Sequence, residues 1–263
     1  MRLDIVGGRC AAEVKVEYFK SDGLKLAYRV EGEGDPILLV HGFASTHRAN
    51  WIETGWSRAL IDAGFRVILP DMRGHGASEA CYAVEDYTLS AMAGDLVALL
   101  DHLGEAGADI MGYSMGAMVA LVAAMEHPTR FDRVIAAGVG ARLMDDDRDP
   151  GPVVAALLAE DPAGIADKEA LGFRLFAERM GQDRLALAAC FEAVRAPFPV
   201  AALGGIVRPV LVVTGELDEQ AGAPGPLAAR IPEARAVTVP KRDHMKTVGD
   251  PAYKEAVLKF LAG

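Results

Sequence analysis

Short apolar runs alternate with helical patterns through most of this 263-residue chain. The runs at 36–40, 109–112 and 210–214 are almost uninterrupted, which is typical of strands buried on both faces. Helical patterns such as 88–103 and 115–126 lie between them. This order predicts an α/β fold, with a mostly parallel sheet, right-handed crossovers and flanking helices. Ligands of such sheets bind beyond the carboxyl ends of the strands.

The full set of predicted elements contains eight strands and five helices outside one exceptional region. The strands are 14–19, 24–30, 36–40, 66–69, 109–112, 134–137, 210–214 and 236–239, and the helices are 56–63, 88–103, 115–126, 224–230 and 251–261. The first two strands alternate polar and apolar positions, as antiparallel strands with one solvated face do. In the second, Lys25, Ala27 and Arg29 are therefore expected to face solvent.

One region breaks the alternation. Residues 142–205 contain no strand pattern, open on an acidic loop at 145–150 and continue as helical stretches rich in Ala and Leu. Sixty residues exceed what a crossover needs, so a helical cap over the strand ends is predicted. Residues 1–141 and 206–263 would then form the core domain. Four cap arginines are expected on the solvated surface unless one turns inward towards a charged substrate: Arg142, Arg174, Arg179 and Arg195.

The pentapeptide Gly112 to Gly116 follows a predicted strand and precedes a predicted helix. This is the context of a nucleophile elbow, in which a G-x-S-x-G serine is held on a sharp turn. Strand and helix approach closely there, so the positions two residues either side of Ser114 must be very small. The helix N-terminus also favours negative charge developing at Ser114.

A second loop, His41-Gly42-Phe43, directly follows the apolar strand 36–40. A loop here can aim a backbone N–H at an oxyanion, while the residue after the nucleophile supplies another. We therefore expect the N–H groups of Phe43 and Met115 to form an oxyanion hole. His41 is interpreted as a brace for the loop.

A serine nucleophile needs a base and an orienting acid, in the chain order Ser, Asp, His. His244 follows the strand 236–239, whereas His127 lies at the far end of the helix that Ser114 begins, roughly 19 Å away by helical rise. Asp218 lies just past the strand 210–214, with Glu216 and Glu219 as rival acids. The predicted triad is Ser114, His244 and Asp218.

The loop at 71–78, DMRGHGAS, contains two glycines and an aspartate suited to capping a compact turn. It lacks the lysine and spacing of a phosphate-binding loop. We interpret it, with His75 and Ser78, as architecture beneath the site.

From about residue 14 onwards, the chain resembles the α/β-hydrolase superfamily. The resemblance rests on five motifs in this order: HGF at 41–43, DMRGHGAS at 71–78, GYSMG at 112–116, GELD at 215–218 and DH at 243–244. The resemblance implies an eight-stranded, mostly parallel sheet, the triad above and a helical cap. It implies no cofactor. Haloalkane dehalogenases and epoxide hydrolases of this superfamily use an aspartate nucleophile, which Ser114 does not match.

The expected function is that of a serine hydrolase cleaving small or medium carboxylic esters or lactones through an acyl-serine. C–C bond hydrolysis of a vinylogous diketone is an alternative, although the residues after His41-Gly42 and after His244 depart from that group's pattern. A non-catalytic ligand-binding protein of the same fold is a third alternative. An apolar acyl pocket is expected from Phe43, Met115, Met245, Phe173 and Phe176.

Charge and cysteine content exclude several other classes. Acidic residues outnumber basic ones by 37 to 27, which disfavours nucleic-acid binding and anionic membrane surfaces. Three widely spaced cysteines predict neither a disulfide framework nor a metal site. The N-terminal residues lack a signal-peptide pattern and no run is long enough to span a membrane, so a cytoplasmic enzyme is expected.

Overall fold

A computed structural model describes residues 15–145 and 149–263. Within them, eight strands form one sheet in the order β1-β2-β4-β3-β5-β6-β7-β8. The strands are β1 (Glu17–Ser21), β2 (Leu24–Glu31), β3 (Asp35–Val40), β4 (Phe65–Pro70), β5 (Ala108–Tyr113), β6 (Phe131–Ala137), β7 (Val210–Gly215) and β8 (Arg235–Val239). β1 and β2 pair antiparallel, β2 pairs antiparallel with β4, and the remaining neighbours are parallel. The predicted fold class is confirmed.

The expected solvent-facing side of β2 is only partly exposed. Lys25 is exposed, but Ala27 is fully buried, so the expectation for Ala27 is wrong. The loop that follows β4 bonds to its main chain: the Ser78 hydroxyl accepts from the Ala27 N–H at 2.8 Å, and the Asp71 N–H donates to the Ala27 carbonyl at 2.9 Å. Position 14, where the first strand was expected to begin, lies outside the described residues.

Helices cover both faces of the sheet. Their bounds are α1 (Trp56–Asp62), α2 (Leu89–Leu103), α3 (Met115–Glu126), α4 (Gly151–Leu158), α5 (Lys168–Arg179), α6 (Arg184–Val194), α7 (Pro224–Ala228), α8 (His244–Thr247) and α9 (Pro251–Leu261). Side chains alternate along each strand, so β3 sends Leu38 and Val40 into the core under α2 and α3. Ile37 and Leu39 point to the opposite core, under α1 and α9.

Helix α3 lies so close to the sheet that backbone meets backbone. A Cβ built on Gly116 would lie 2.1 Å from the Val40 carbonyl oxygen, and one built on Gly112 would lie 2.1 Å from the Gly116 carbonyl oxygen. Neither neighbour can move aside, because both belong to the main chain. The small residues of the elbow are therefore a steric requirement of the fold.

Three helices, α4 to α6, lie between β6 and β7 where the cap was expected, and they pack on one another. The division into a core and a cap at 142 and 205 stays a prediction, and residues 146–148 of the acidic loop lie outside the described residues. The surface position expected for Arg174 is wrong, since the residue is only 1% exposed. Its guanidinium donates to the carbonyl oxygens of Ala156 and Ala159, which the end of α4 leaves unpaired.

Two helical glycines, Gly116 and Gly94, give a matched test of this close packing. Gly116→Ala should cost about 3 kcal/mol or more in the free energy of unfolding, because a methyl group would overlap main-chain atoms. Gly94→Ala, inside α2 with open space around it, should gain about 0.5–1 kcal/mol from helix propensity alone. Urea unfolding of both variants measures the difference. Equal effects would contradict the close approach of α3.

Candidate active site

Ser114 occupies the turn between β5 and α3 with φ 55° and ψ −117°, a left-handed φ that is rare for a residue with a side chain. Its N–H donates to the Ala137 carbonyl at the end of β6, at 2.7 Å. The Ser114 hydroxyl makes no hydrogen bond to another described residue, and in unliganded sites such bonds are often long. The turn thus holds the serine at the carboxyl edge of the sheet.

His244 and Asp218 form a hydrogen-bonded pair at the same edge. Nδ1 of His244 lies 2.8 Å from Oδ2 of Asp218, whose side chain is fully buried. The other oxygen of Asp218 accepts from the Ala221 N–H at 2.9 Å. Since Nδ1 donates to the carboxylate, Nε2 is the nitrogen left to accept a proton.

The rival acids lie elsewhere. Glu216 accepts from the Lys241 N–H at 2.7 Å, and Glu219 is exposed. Asp243 precedes the base but caps α8, accepting from the Lys246 N–H at 2.8 Å. Of the candidate carboxylates, Asp218 is the one that the fold brings to His244.

Gly138 connects the two halves of the site. It directly follows Ala137, the residue that holds the Ser114 N–H. A Cβ built on Gly138 would lie 3.1 Å from Cε1 of His244, the ring carbon between the two nitrogens. The imidazole therefore lies over the end of β6, beside the strand that carries Ser114.

The peptide between Gly42 and Phe43 is fixed from several sides. The Gly42 carbonyl accepts from Nδ1 of His41 at 2.8 Å and from the Ser45 N–H at 3.2 Å. The Gly42 N–H donates to Oδ1 of Asn50 at 3.0 Å. In a trans peptide the N–H points opposite to the C=O, so these bonds direct the Phe43 N–H the other way.

Both expected oxyanion donors are unpaired. Among the described residues, the N–H groups of Phe43 and Met115 have no acceptor. Met115 is the first residue of α3, where helical N–H groups lack partners. Gly42 packs against the serine, since a Cβ built on it would lie 3.5 Å from the Ser114 Cβ. The two free donors therefore belong to backbone segments that flank Ser114.

His41 is a brace, as interpreted from the sequence. Its Nε2 accepts from the Met72 N–H at 3.0 Å, so Nδ1 carries the proton that is donated to Gly42. Burial lowers the pKa of His41, which keeps the imidazole neutral in this arrangement. Sequence reasoning missed Asn50, because no motif marks an asparagine eight residues after a glycine as its partner.

The loop after β4 is organised around buried Asp71. One carboxylate oxygen accepts from both the N–H and Nδ1 of His47 at 2.8 Å, and the other accepts from the Ala77 N–H at 3.0 Å. Burial raises the pKa of Asp71, but these hydrogen bonds and the nearby His41 outweigh it, so the net pKa is lowered. The loop is architecture, as expected.

His75 lies deeper in the same loop. Its Nδ1 donates to the Arg73 carbonyl at 2.9 Å, whereas Nε2 is buried without a partner among the described residues. Burial, assisted by His41, lowers the pKa of His75 to about 3. The ring is therefore neutral at all ordinary pH values.

Aromatic rings surround the Phe43 side chain, and two of them come from α5 and α6. The Phe43 ring packs edge-on against Phe191 at 5.0 Å, Phe173 at 5.8 Å and His75 at 5.9 Å. Met115 is buried beside Cys190, with 3.8 Å between their sulfur atoms. Met245 is 58% exposed, and its place in the apolar pocket stays a prediction. It follows His244 on the first turn of α8, which lies at the surface.

Residues 15–145 and 149–263 contain no group of three or more His, Cys, Asp and Glu side chains placed to hold a metal ion. In the same residues, no helix has both the length and the apolar character needed to cross a bilayer.

Comparison with known proteins agrees with this fold. Residues 35–171, just over half of the chain, match the family model of the alpha/beta hydrolase fold. A hydrolase from Pseudomonas aeruginosa PA01 has a similar structure, with a TM-score of 0.81 and 32% identity over 96% of this chain and 100% of that one. An enol-lactonase from Burkholderia xenovorans LB400 has a TM-score of 0.79 and 26% identity over 94% of this chain and 100% of that one.

The chain therefore belongs to the α/β-hydrolase fold family. A curated relative, an epoxide hydrolase from Caballeronia sordidicola, is 37% identical over 142 residues. That match covers 53% of this chain and 40% of the relative, so the chain spans less than half of that relative's length.

The neutral His75 predicts a stability effect at acidic pH. The ordinary histidine pKa of 6.5 applies to the unfolded chain and about 3 to the folded one. As the pH falls from about 6.5, the unfolded chain takes up a proton here that the folded chain does not, so stability falls by about 1.4 kcal/mol per pH unit.

His75→Gln should remove that contribution, while the glutamine amide can still donate to the Arg73 carbonyl. Urea unfolding at pH 7.5, 6 and 5 measures it, with pH 7.5 as the reference for the cost of the substitution itself. A variant that loses stability on acidification as steeply as the wild type would contradict a neutral His75. His41, whose pKa burial also lowers, contributes in the same direction in both proteins.

Proposed function

We propose that the protein is a serine hydrolase of small or medium carboxylic esters or lactones, working through an acyl-serine intermediate. The observation that carries this proposal is the Asp218–His244 pair, held at 2.8 Å at the sheet edge where Ser114 occupies the elbow. A nucleophile, a base and a group that orients the base are the parts that acyl transfer needs.

In the first half-reaction, Oγ of Ser114 attacks the substrate carbonyl carbon while its proton passes to Nε2 of His244. Asp218 holds the imidazole in the required tautomer and stabilises the imidazolium that forms. The carbonyl oxygen becomes an oxyanion facing the N–H groups of Phe43 and Met115. The C–O bond to the leaving group then breaks, and His244 returns the proton to the departing alkoxide.

In the second half-reaction, a water molecule gives a proton to His244 and attacks the acyl-serine carbonyl. The same oxyanion donors serve again, and the ester bond to Ser114 breaks as its oxygen regains the proton. Each preorganised donor of this kind contributes about 2.7–4 kcal/mol to transition-state stabilisation. The bonds that fix the Gly42–Phe43 peptide supply the preorganisation.

Epoxide hydrolysis, the activity named for the Caballeronia relative, does not suit a serine. Attack of Ser114 on an epoxide carbon would leave a serine ether, which has no carbonyl for water to attack. An aspartate nucleophile leaves an ester instead, which water can cleave. The residue at position 114 therefore favours substrates that carry a carbonyl themselves, and the name of the Burkholderia neighbour favours including lactones among them.

A neutral acyl group fits the cap better than a charged one. Arg174 and Arg184 both donate to carbonyl oxygens at the end of α4, and Arg142 pairs with Asp145. The guanidinium of Arg195 stacks over the Phe191 ring at 4.6 Å, and that of Arg179 stacks over the Phe176 ring at 5.2 Å. Burying a carboxylate without a dedicated cation is costly, so a free acid on the acyl side should bind poorly.

We further propose a small-molecule substrate in the cytoplasm, with no role for nucleic acid or a membrane. Cys81 and Cys190 are buried and free, which suits a reducing compartment. The net charge of −10 opposes binding to phosphate backbones and to anionic lipid.

Ser114→Ala should abolish hydrolysis of p-nitrophenyl acetate without loss of fold, because the hydroxyl makes no hydrogen bond within the described part of the chain. A fluorophosphonate should label wild-type Ser114 and leave the variant unlabelled, as read by peptide mapping. Turnover by the variant near the wild-type rate would contradict the proposal. A wild type that binds such esters without turnover would indicate a ligand-binding protein.

Rates across p-nitrophenyl esters should reveal the acyl preference. We expect kcat/KM to rise up to about fourfold per added CH₂ at the short end, from about 0.8 kcal/mol of burial each, and to fall for palmitate. For a dicarboxylate monoester, kcat/KM should be lower by about tenfold or more than for the neutral ester of equal length. A palmitate optimum would contradict the preference for short chains. A dicarboxylate preference would favour a lactonase or C–C hydrolase with a charged substrate.

A further inference from the structure

Tyr113 is the last residue of β5. It directly precedes Ser114 in the chain and also contacts His244. Its side chain lies in the core beneath α1 and α9, on the opposite face of the sheet from α3. The Tyr113 hydroxyl donates a hydrogen bond to the main-chain carbonyl of His244. One side chain thus joins the residue before Ser114 to the backbone of His244.

The rings of Tyr113 and His244 also pack together. Their centroids lie 5.3 Å apart, with 50° between the planes. Gly138, at φ +68°, lies against both: a Cβ built there would lie 3.1 Å from Cε1 of His244 and 3.1 Å from two carbons of the Tyr113 ring. The imidazole is consequently confined by Tyr113 and Gly138, and tied to Asp218.

Other bonds attach to the main chain beside His244, and among them the Leu217 N–H donates to the Arg242 carbonyl at 2.9 Å. Helix α8 has only four residues, and its bonds to Asp243 from Lys246 and Thr247 are local. Trp56 donates to the Val248 carbonyl just beyond the helix. The bond from Tyr113 is the one that reaches His244 itself from the strand that carries the nucleophile.

We propose that Tyr113 is a positioning residue that fixes His244 relative to Ser114. This inference rests on the proposed function, in which His244 takes the proton of Ser114. Because Tyr113 and Ser114 are covalent neighbours, anchoring the base to Tyr113 sets its distance from the nucleophile. Displacement of a reacting group by about 1 Å can reduce the rate about a hundredfold.

Tyr253, in α9, offers a matched control. Its ring lies 6.4 Å from that of Tyr113 in the same cluster. The Tyr253 hydroxyl is buried but has no hydrogen-bond partner in the described part of the chain. The same chemical change at the two positions therefore removes a bond to His244 in one case only.

The kinetic test compares Tyr113→Phe with Tyr253→Phe on the preferred p-nitrophenyl ester. Tyr113→Phe should lower kcat about tenfold to a hundredfold and change KM less than about twofold, since it displaces the base and not the substrate. Tyr253→Phe should leave both unchanged. Incorporation of 4-aminophenylalanine at position 113, which restores a donor, should recover most of the lost kcat. Equal kcat in all variants, or a loss that 4-aminophenylalanine leaves uncorrected, would overturn the proposal.

A second measurement does not depend on turnover. The Nδ1 proton of His244 should give a downfield NMR resonance through its bond to Asp218, which Asp218→Asn should abolish and so assign. Tyr113→Phe should shift or broaden it, and Tyr253→Phe should not. A resonance unchanged in Tyr113→Phe would overturn the positioning role. Absence of turnover and of fluorophosphonate labelling in the wild type would instead contradict the proposed function, with the NMR comparison still deciding whether Tyr113 positions His244.

Discussion

The site depends on the backbone contact between α3 and the sheet. Gly116 lies against the Val40 carbonyl, and Gly112 lies against Gly116. This contact compresses the connection between β5 and α3 into one residue, so Ser114 is held at a positive φ. The surrounding core stabilises a conformation that would be unfavourable for a serine in a flexible loop. The serine is thus presented at the sheet edge by packing, and not by hydrogen bonds of its own side chain.

Around that turn, some main-chain polar groups have hydrogen-bond partners among the described residues and others do not. His41 and Asn50 satisfy both ends of Gly42, and neither needs a charge to do so. The free donors, on Phe43 and Met115, are those that would face a developing oxyanion. Neutral supporting groups add no competing field near the carbonyl that would react in the proposed mechanism.

The sequence allowed prediction of features that rest on local sterics or chain order. The elbow follows from small residues at 112 and 116, and the Asp218–His244 pair follows from the order of strands. Contacts made by residues outside these motifs were not predictable. Asn50 bonds to Gly42 because the short helical turn Arg48–Ile52 returns it there, and Arg174 is buried because α4 ends beside α5. No periodicity or motif in the sequence predicts such contacts.

The two contacts of Phe43 affect how the substrate selectivity of this protein could be changed. Its N–H is an oxyanion donor in the proposed mechanism, and its ring packs on Phe173 and Phe191 of the neighbouring helices. Substrate selectivity and rate are therefore coupled at this residue, because a smaller side chain would enlarge the acyl side and loosen the peptide at once. Phe173 and Phe191 carry no such double duty. Selection for new acyl groups should accumulate changes at those two positions and spare Phe43.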